Sequence, residues 1–471
     1  MHNVTPIQGH SQRMWEPPVI QPHHPGGLNK FGHRTGSSNL MERIDGVSID
    51  NLMDRYGSPL FITSERRLRQ NVQRIRAALE GVYPTVVHGW SYKTNYTSAV
   101  CRILHQEGSW AEVVSRFEYE KARLLGVPGE RILFNGPNKS RAILERAVAE
   151  GAHLHVDHLD ELALIEAIAG QRGQAAPVTL RLNMNTGYTE AWSRFGFNLE
   201  NGQADEAAAR VAASPHLRLT GLHSHLGTFI LDPRAYGEQT RRMCAFMQQL
   251  EADGLTRIEW LDIGGGLPSR NALQGIYAPP EQAVPPLEDY ADAIGQALAD
   301  GLAGRPGPPP TLVFESGRAV VDDAQVLAAS VVGTKRLPDG RRAAVLDAGI
   351  NLMLTALWYN HPVRLVTPKP GLPEETALFG PMCMNIDVMR STVSLPPLAP
   401  GDRLVFAPVG AYNNTQWLQF IEYRPPVVLV HADGNHSVIR EGEDLDSMCQ
   451  HDRMPAHLER PANTPQLAVV G

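Results

Sequence analysis

An α/β fold, a (β/α)8 (TIM) barrel followed by a C-terminal all-β domain, is what this chain of 471 residues predicts. Three observations predict it. From about residue 85, short β-branched runs alternate with amphipathic stretches. The alternation stops after Arg318. The polar residues that stand out lie at the C-terminal ends of the strand candidates, the rim on which parallel barrels carry their sites.

Residues 1–36 are rich in Pro, Gly and His and read as a flexible arm. A solvated tail explains His23 and His24 better than a metal does. Residues 64–320 are assigned to the barrel. Its strand candidates are TVVHGWSYK (85–93), WAEVV (110–114), RILFN (131–135), AHLHVD (152–157), VTLRLN (178–183), LTGLHSH (219–225), IEWLDI (258–263) and TLVFE (311–315). Between them, Leu162, Ile165 and Ile168 recur three apart on one helical face, as Leu144, Ala147 and Val148 share another. Past the barrel, QVLAASVVGTKRL, RRAAVLDAG, DRLVFAPVG and VVLVHADGNHSVIRE follow one another without long helices. Pro338-Asp339-Gly340 and Asp433-Gly434-Asn435 mark turns. Residues 321–460, with 37–63 and its strand SPLFIT, are assigned to the β-domain, and 461–471 to a loose tail.

Composition excludes several functions. A net charge of −7 gives no basic field for nucleic acid or anionic lipid. No apolar run is long enough to cross a bilayer, and the N-terminus lacks the apolar segment of a signal peptide. A cytoplasmic protein with a small-molecule partner is expected. The four cysteines, Cys101, Cys244, Cys383 and Cys449, are widely spaced, so neither a disulfide framework nor a metal is expected.

Lys93 ends the first barrel strand, Glu112 sits late on the second, and His225 ends the sixth. Gly264, Gly265 and Gly266 follow the seventh. Glu315 ends the eighth, with Arg318 three residues on. Alone, a strand-end lysine is usually just solvated, and a glycine triplet is more often a tight turn than an anion site. Together they describe one chemistry. A lysine shielded from water can lose its proton and condense with an aldehyde. Glycines let backbone N–H groups approach a phosphate, and an arginine adds a bidentate charge. A carboxylate can keep a pyridine nitrogen protonated, which makes the ring an electron sink. That set describes pyridoxal 5'-phosphate (PLP).

The motifs resemble those of the fold-type III PLP decarboxylases, the ornithine and diaminopimelate decarboxylases among them, whose barrel is of the alanine-racemase type. The resemblance runs from about residue 50 to 430. SYKTN resembles the cofactor-lysine motif and implies a Schiff base on Lys93. GLHSHLGT implies that His225 stacks on the cofactor ring and that Thr228 lies near its phosphate. DIGGGLP resembles the phosphate loop. FESGR resembles the family's EPGR, giving Glu315 to the ring nitrogen and Arg318 to the phosphate region. SRFGF implies Arg194 near the cofactor, and GAY implies that the Tyr412 hydroxyl reaches the phosphate. GPMCMNIDVM resembles the segment whose cysteine enters the neighbouring subunit's site. It implies Cys383 as proton donor after decarboxylation and a homodimer with two shared sites. Without that motif Cys383 would read as a small buried hydrophobe.

The departures fall mostly on the substrate side. Glu112 stands where the family usually has aspartate, and Ser316 replaces the proline of EPGR. In LDAGINLMLTALWY, Thr355 occupies the position of a substrate-binding arginine, while Tyr359 is kept. Met384 follows Cys383 where the family has an acid for the distal ammonium. Asp387 is retained as a possible partner for an amino group, with a structural salt bridge equally open. Trp358, Asn360, His361 and Trp417 are further pocket candidates that packing explains as well. The expectation is decarboxylation of an amino acid other than free diaminopimelate or ornithine, such as one conjugated to another acid, or a smaller or apolar one. A racemase or epimerase on the same barrel is the nearest alternative. Farther off stand a catalytically silent regulatory relative, which should have lost the lysine or phosphate loop, and a PLP carrier, which should lack the β-domain.

Overall fold

The computed structural model describes residues 40–276 and 278–459, so the arm expected at 1–36 and the tail at 461–471 lie outside the described residues. Before the barrel come strand β1 (Leu60–Ser64) and helix α1 (Glu65–Glu80). Eight parallel strands then form the barrel: β2 (Val86–Ser91), β3 (Trp110–Val113), β4 (Ile132–Phe134), β5 (His153–Val156), β6 (Ala176–Asn183), β7 (Leu217–Ser224), β8 (Trp260–Asp262) and β9 (Thr311–Phe314). Each pairs with its neighbour in sequence, and β9 closes the ring on β2, with Val313 beside Val87. All eight expected strands are present.

The helices follow the apolar periods that foretold them. Leu162, Ile165 and Ile168 are buried on Leu159–Arg172, and Leu144 and Ala147 on Arg141–Ala149. At the N-terminal end of the barrel, the first residues of β3, β5 and β8 pack together. The Trp110 ring lies 5.3 Å from His153 and 5.7 Å from Trp260. This aromatic layer fills one mouth, and the polar side chains lie towards the other.

Strands after the barrel form a second sheet. Its long member is β10 (Gln325–Arg336), beside β11 (Arg342–Leu346). Strand β1 runs antiparallel to β10 and parallel to β16 (Val427–Val430), so SPLFIT lies in this sheet. All five residues of β1 are buried, as a strand covered on both faces requires. Next in sequence come β12 (Val363–Leu365), β13 (Glu374–Phe379), β14 (Val388–Leu395) and β15 (Arg403–Phe406); β14 forms one edge of the sheet and β17 (His436–Arg440) the other.

One loop joins this sheet to the barrel rim. Asp322, buried at the barrel exit, accepts from Ser269 Oγ and from the Ala411 N–H at 3.3 Å. Beyond it, Tyr412 N–H donates to the Thr94 carbonyl at 2.8 Å, and Thr415 Oγ1 donates to the Lys93 carbonyl at 2.8 Å. The turn that carries Lys93 is thereby clamped from outside the barrel.

Candidate active site

Lys93 sits in a short turn, Tyr92–Thr94, just past β2. Its Nζ donates to Glu112 Oε2 at 2.5 Å. Burial pulls the amine's pKa down, but the charges of Glu112 and Glu315 outweigh it and hold the pKa above the ordinary lysine value. Gly89 on β2 lies beside both carboxylates, and a Cβ there would meet Leu133 Cδ1 at 2.7 Å.

Glu315 is buried at the end of β9. Burial alone would raise its pKa. His223 and His155 beside it, with Lys93, hold it well below the usual carboxylate range. Asp262 shares this buried cluster and is pushed the other way, by burial and then by the charge of Glu315. The two neighbouring carboxyls are thus driven apart, Glu315 towards its ionised form and Asp262 towards its protonated one.

The glycine triplet is required by close approach. A Cβ on Gly264 would lie 2.7 Å from the Ser224 carbonyl oxygen, on Gly265 2.2 Å from that of Glu315, and on Gly266 2.5 Å from that of Gly227. Gly265 N–H donates to His225 Nδ1 at 3.0 Å, so the proton of that ring is on Nε2 and the imidazole is neutral. Burial, then the charges of Lys93 and Arg181, takes its pKa down to about 3.

Arg318 is buried with one Nη2 contact to Thr228 Oγ1 at 3.3 Å. Its guanidinium is ringed by Tyr412 at 4.8 Å, Tyr359 at 5.3 Å and Phe229 at 5.5 Å. Its Nε and Nη1 are buried with no partner among the described residues. Buried guanidinium donors without acceptors fit an anionic group such as a phosphate.

Other expected residues lie elsewhere. Arg194 is exposed over the Phe195 ring, 5.0 Å from its centroid, whereas Arg181, not expected from the sequence, occupies the interior 3.5 Å from Asp157. Asp387 accepts a backbone N–H on each oxygen at 2.8 Å, from Ile350 and Met382, and so holds its own loop together. Thr355 is likewise taken up internally, its Oγ1 lying 2.8 Å from both His361 Nε2 and Asn413 Oδ1. Met384 packs partly buried against the second sheet's core, and Cys383 beside it is exposed.

Sequence reasoning missed Asn135, His155, His223 and Asp262, which make up most of the buried cluster. A signal was present: in AHLHVD, GLHSH and LDI the polar residues alternate with apolar ones, the period of side chains pointing into a barrel.

Residues 65–322 match the family described as "Pyridoxal-dependent decarboxylase, pyridoxal binding domain". The chain belongs to the pyridoxal-dependent decarboxylases. The match covers the whole barrel with Lys93, Glu112, His225, the glycine triplet, Glu315 and Arg318, and the family's cofactor is PLP. The diaminopimelate decarboxylase of Methanocaldococcus jannaschii is 29% identical over 88% of this chain and 95% of its own. That of Mycobacterium tuberculosis is 30% identical over 86% and 93%. The crystal structure of the Methanocaldococcus jannaschii enzyme in co-complex with L-lysine superposes with a TM-score of 0.81 at 28% identity, covering 88% of this chain and 97% of that one. The lysine/ornithine decarboxylase of Vibrio vulnificus, complexed with putrescine, has a TM-score of 0.69 at 25% identity, over 81% and 96%. This pyridoxal-dependent decarboxylase is therefore a fold-type III carboxy-lyase. Among the described residues, no helix is long and apolar enough to cross a membrane.

Proposed function

We propose that this enzyme decarboxylates an amino acid whose distal end carries no free zwitterion, with Lys93 as the cofactor's lysine and Cys383 of a second copy of the chain as proton donor. One observation carries the substrate half of the reading: the buried set of Thr355, His361 and Asn413 is uncharged, its members bonded to one another and to the Pro408 and Val409 carbonyls. Burial takes the His361 pKa down to about 3, so the ring is neutral near pH 7. Diaminopimelate would bring a distal carboxylate to Thr355 and a distal ammonium to Met384, and neither residue offers a counter-charge. Desolvating an unpaired charge costs about several kcal/mol. A distal end already joined to another acid, or an apolar one, carries no such penalty.

Bound PLP supplies an electron sink for the pair left on the substrate's α-carbon. The protein supplies the rest. Glu112, in contact with Lys93 Nζ, orients the amine and is placed to take up a proton from it. Glu315, kept ionised by its histidines, suits the task of holding a ring nitrogen protonated. Neutral His225, with the Trp192 ring 5.5 Å away, offers a flat apolar face that keeps water off. Arg318 and the Gly264–Gly266 backbone suit a phosphate. When the bond from the α-carbon to the carboxylate breaks, CO2 leaves and the electron pair stays behind. The α-carbon then takes a proton from the Cys383 thiol. The exposure of Cys383 on its loop supports delivery to a neighbouring molecule.

Turnover in heavy water tests this. Decarboxylation yields CO2 and an amine carrying one deuterium on the former α-carbon. Deuterium exchange with the carboxylate retained would point to a racemase instead.

A further inference from the structure

The two carboxylates nearest the Lys93 amine share one neutral donor. Asn135, the residue after β4, points its amide between them: Nδ2 donates to Glu112 Oε1 at 3.2 Å and to Glu315 Oε1 at 2.5 Å. Its Oδ1 accepts from His155 Nδ1 at 2.7 Å. All four side chains are buried. Chemistry fixes the orientation of the amide, because turned over its oxygen would face two carboxylates. His155 is then the Nδ1–H tautomer, neutral as its burial demands. Its Nε2 faces Asp262 Oδ2 at 3.8 Å, and Asp262 Oδ1 accepts the Gly264 N–H at 2.9 Å. A polar line thus crosses the barrel from the glycine loop to Lys93.

We infer that Asn135, oriented by His155, is a positioning residue of the reaction: it gives one N–H to each carboxylate and so keeps Glu112 facing the lysine amine and Glu315 turned to the cofactor's ring nitrogen. Two adjacent buried carboxylates repel, and without a shared donor one relieves the strain by rotating or by taking a proton. Lys93, His223, Asp262 and Arg181 also face this pair, and among the described residues Asn135 is the one neutral group bonded to both. The inference rests on the reading of Lys93 and Glu315 given above.

The test uses PLP-loaded Asn135→Leu, Asn135→Ala and His155→Phe beside wild type and Lys93→Ala. The visible band of lysine-bound cofactor is titrated with pH, and kcat and KM are read separately. The expected result is a band midpoint shifted by about one pH unit. With it, kcat falls about tenfold to hundredfold, KM changes little, and Asn135→Leu combined with His155→Phe costs no more than Asn135→Leu alone. Thermal melting identifies a variant that has not folded, and Asn135→Ala, which removes the same donor with less crowding, then gives the answer. A wild-type midpoint and kcat in a folded Asn135 variant, while Lys93→Ala loses the band, would overturn the inference alone. A band that survives in Lys93→Ala would overturn the reading beneath it.

Discussion

Glu315 Oε2 and His223 Nε2 face each other at 3.3 Å in the centre of the barrel, both buried. The contact gives the carboxylate a partner that favours its ionised form, against a burial that favours the neutral one. A carboxylate held ionised there can keep a proton on a pyridine nitrogen, and an amide of the same shape cannot. Glu315→Gln should therefore still bind PLP, as its visible band will report, while kcat falls by about a hundredfold or more. Near-normal turnover would remove Glu315 from this role.

Gly265 has no space for a methyl group. A Cβ there would meet the Glu315 carbonyl oxygen at 2.2 Å, backbone that cannot swing aside. Gly265→Ala should lose about 1–3 kcal/mol of stability in the apo-protein and bind PLP more weakly. Thermal melting and cofactor titration check the two effects. An unchanged cofactor affinity would contradict the close-approach account.

Much of this was legible beforehand, and what was not has physical reasons. The barrel could be read because eight β-branched runs and the helical faces between them are local patterns. Lys93, Glu112, His225 and Glu315 could be read because strand ends share a rim. Strands Glu374–Phe379 and Val388–Leu395 escaped notice because both carry exposed polar residues that break the apolar alternation, and the register between them shifts twice. Asp387 could not be assigned from sequence because an acid looks the same whether it meets a ligand or two backbone amides, as its oxygens do here. Asn135 was hidden because an amide at a strand end carries no chemical signature until its neighbours are known.

His88 and His361 are buried and neutral, with pKa values taken by burial to about 4 and about 3. Unfolding returns each towards the ordinary 6.5. Between those values the unfolded chain binds more protons than the folded one. The stability present above about pH 6.5 is thus lost progressively as pH falls towards the folded values, at up to about 1.4 kcal/mol per pH unit for each ring. Apo-protein carrying His361→Gln should lose less Tm than wild type between about pH 7.5 and about pH 5. Equal losses would contradict this accounting.

Shared sites make a prediction about mixtures. Lys93→Ala and Cys383→Ala should each be nearly inactive alone. Equal amounts, allowed to exchange subunits, should regain about a quarter of wild-type activity, because half the dimers are mixed and each mixed dimer keeps one intact site. No recovery after demonstrated exchange would argue that each chain completes its own site.

At the distal end of the substrate, Met384→Glu would place a carboxylate next to Cys383. It should lower KM about tenfold or more for amino acids ending in an ammonium group, since the buried charge gains a partner. An unchanged ranking of substrates by kcat/KM would show that Met384 does not face the distal group.

The most direct test is CO2 release by PLP-saturated enzyme, with Lys93→Ala beside it. The substrates are meso-diaminopimelate, both enantiomers of lysine, ornithine, arginine and glutamate, small apolar amino acids, and diamino acids conjugated to citrate at the distal amine. The account predicts release from a conjugated or apolar member, none from meso-diaminopimelate, and none from Lys93→Ala. Efficient turnover of meso-diaminopimelate, or release that survives the loss of Lys93, would contradict it.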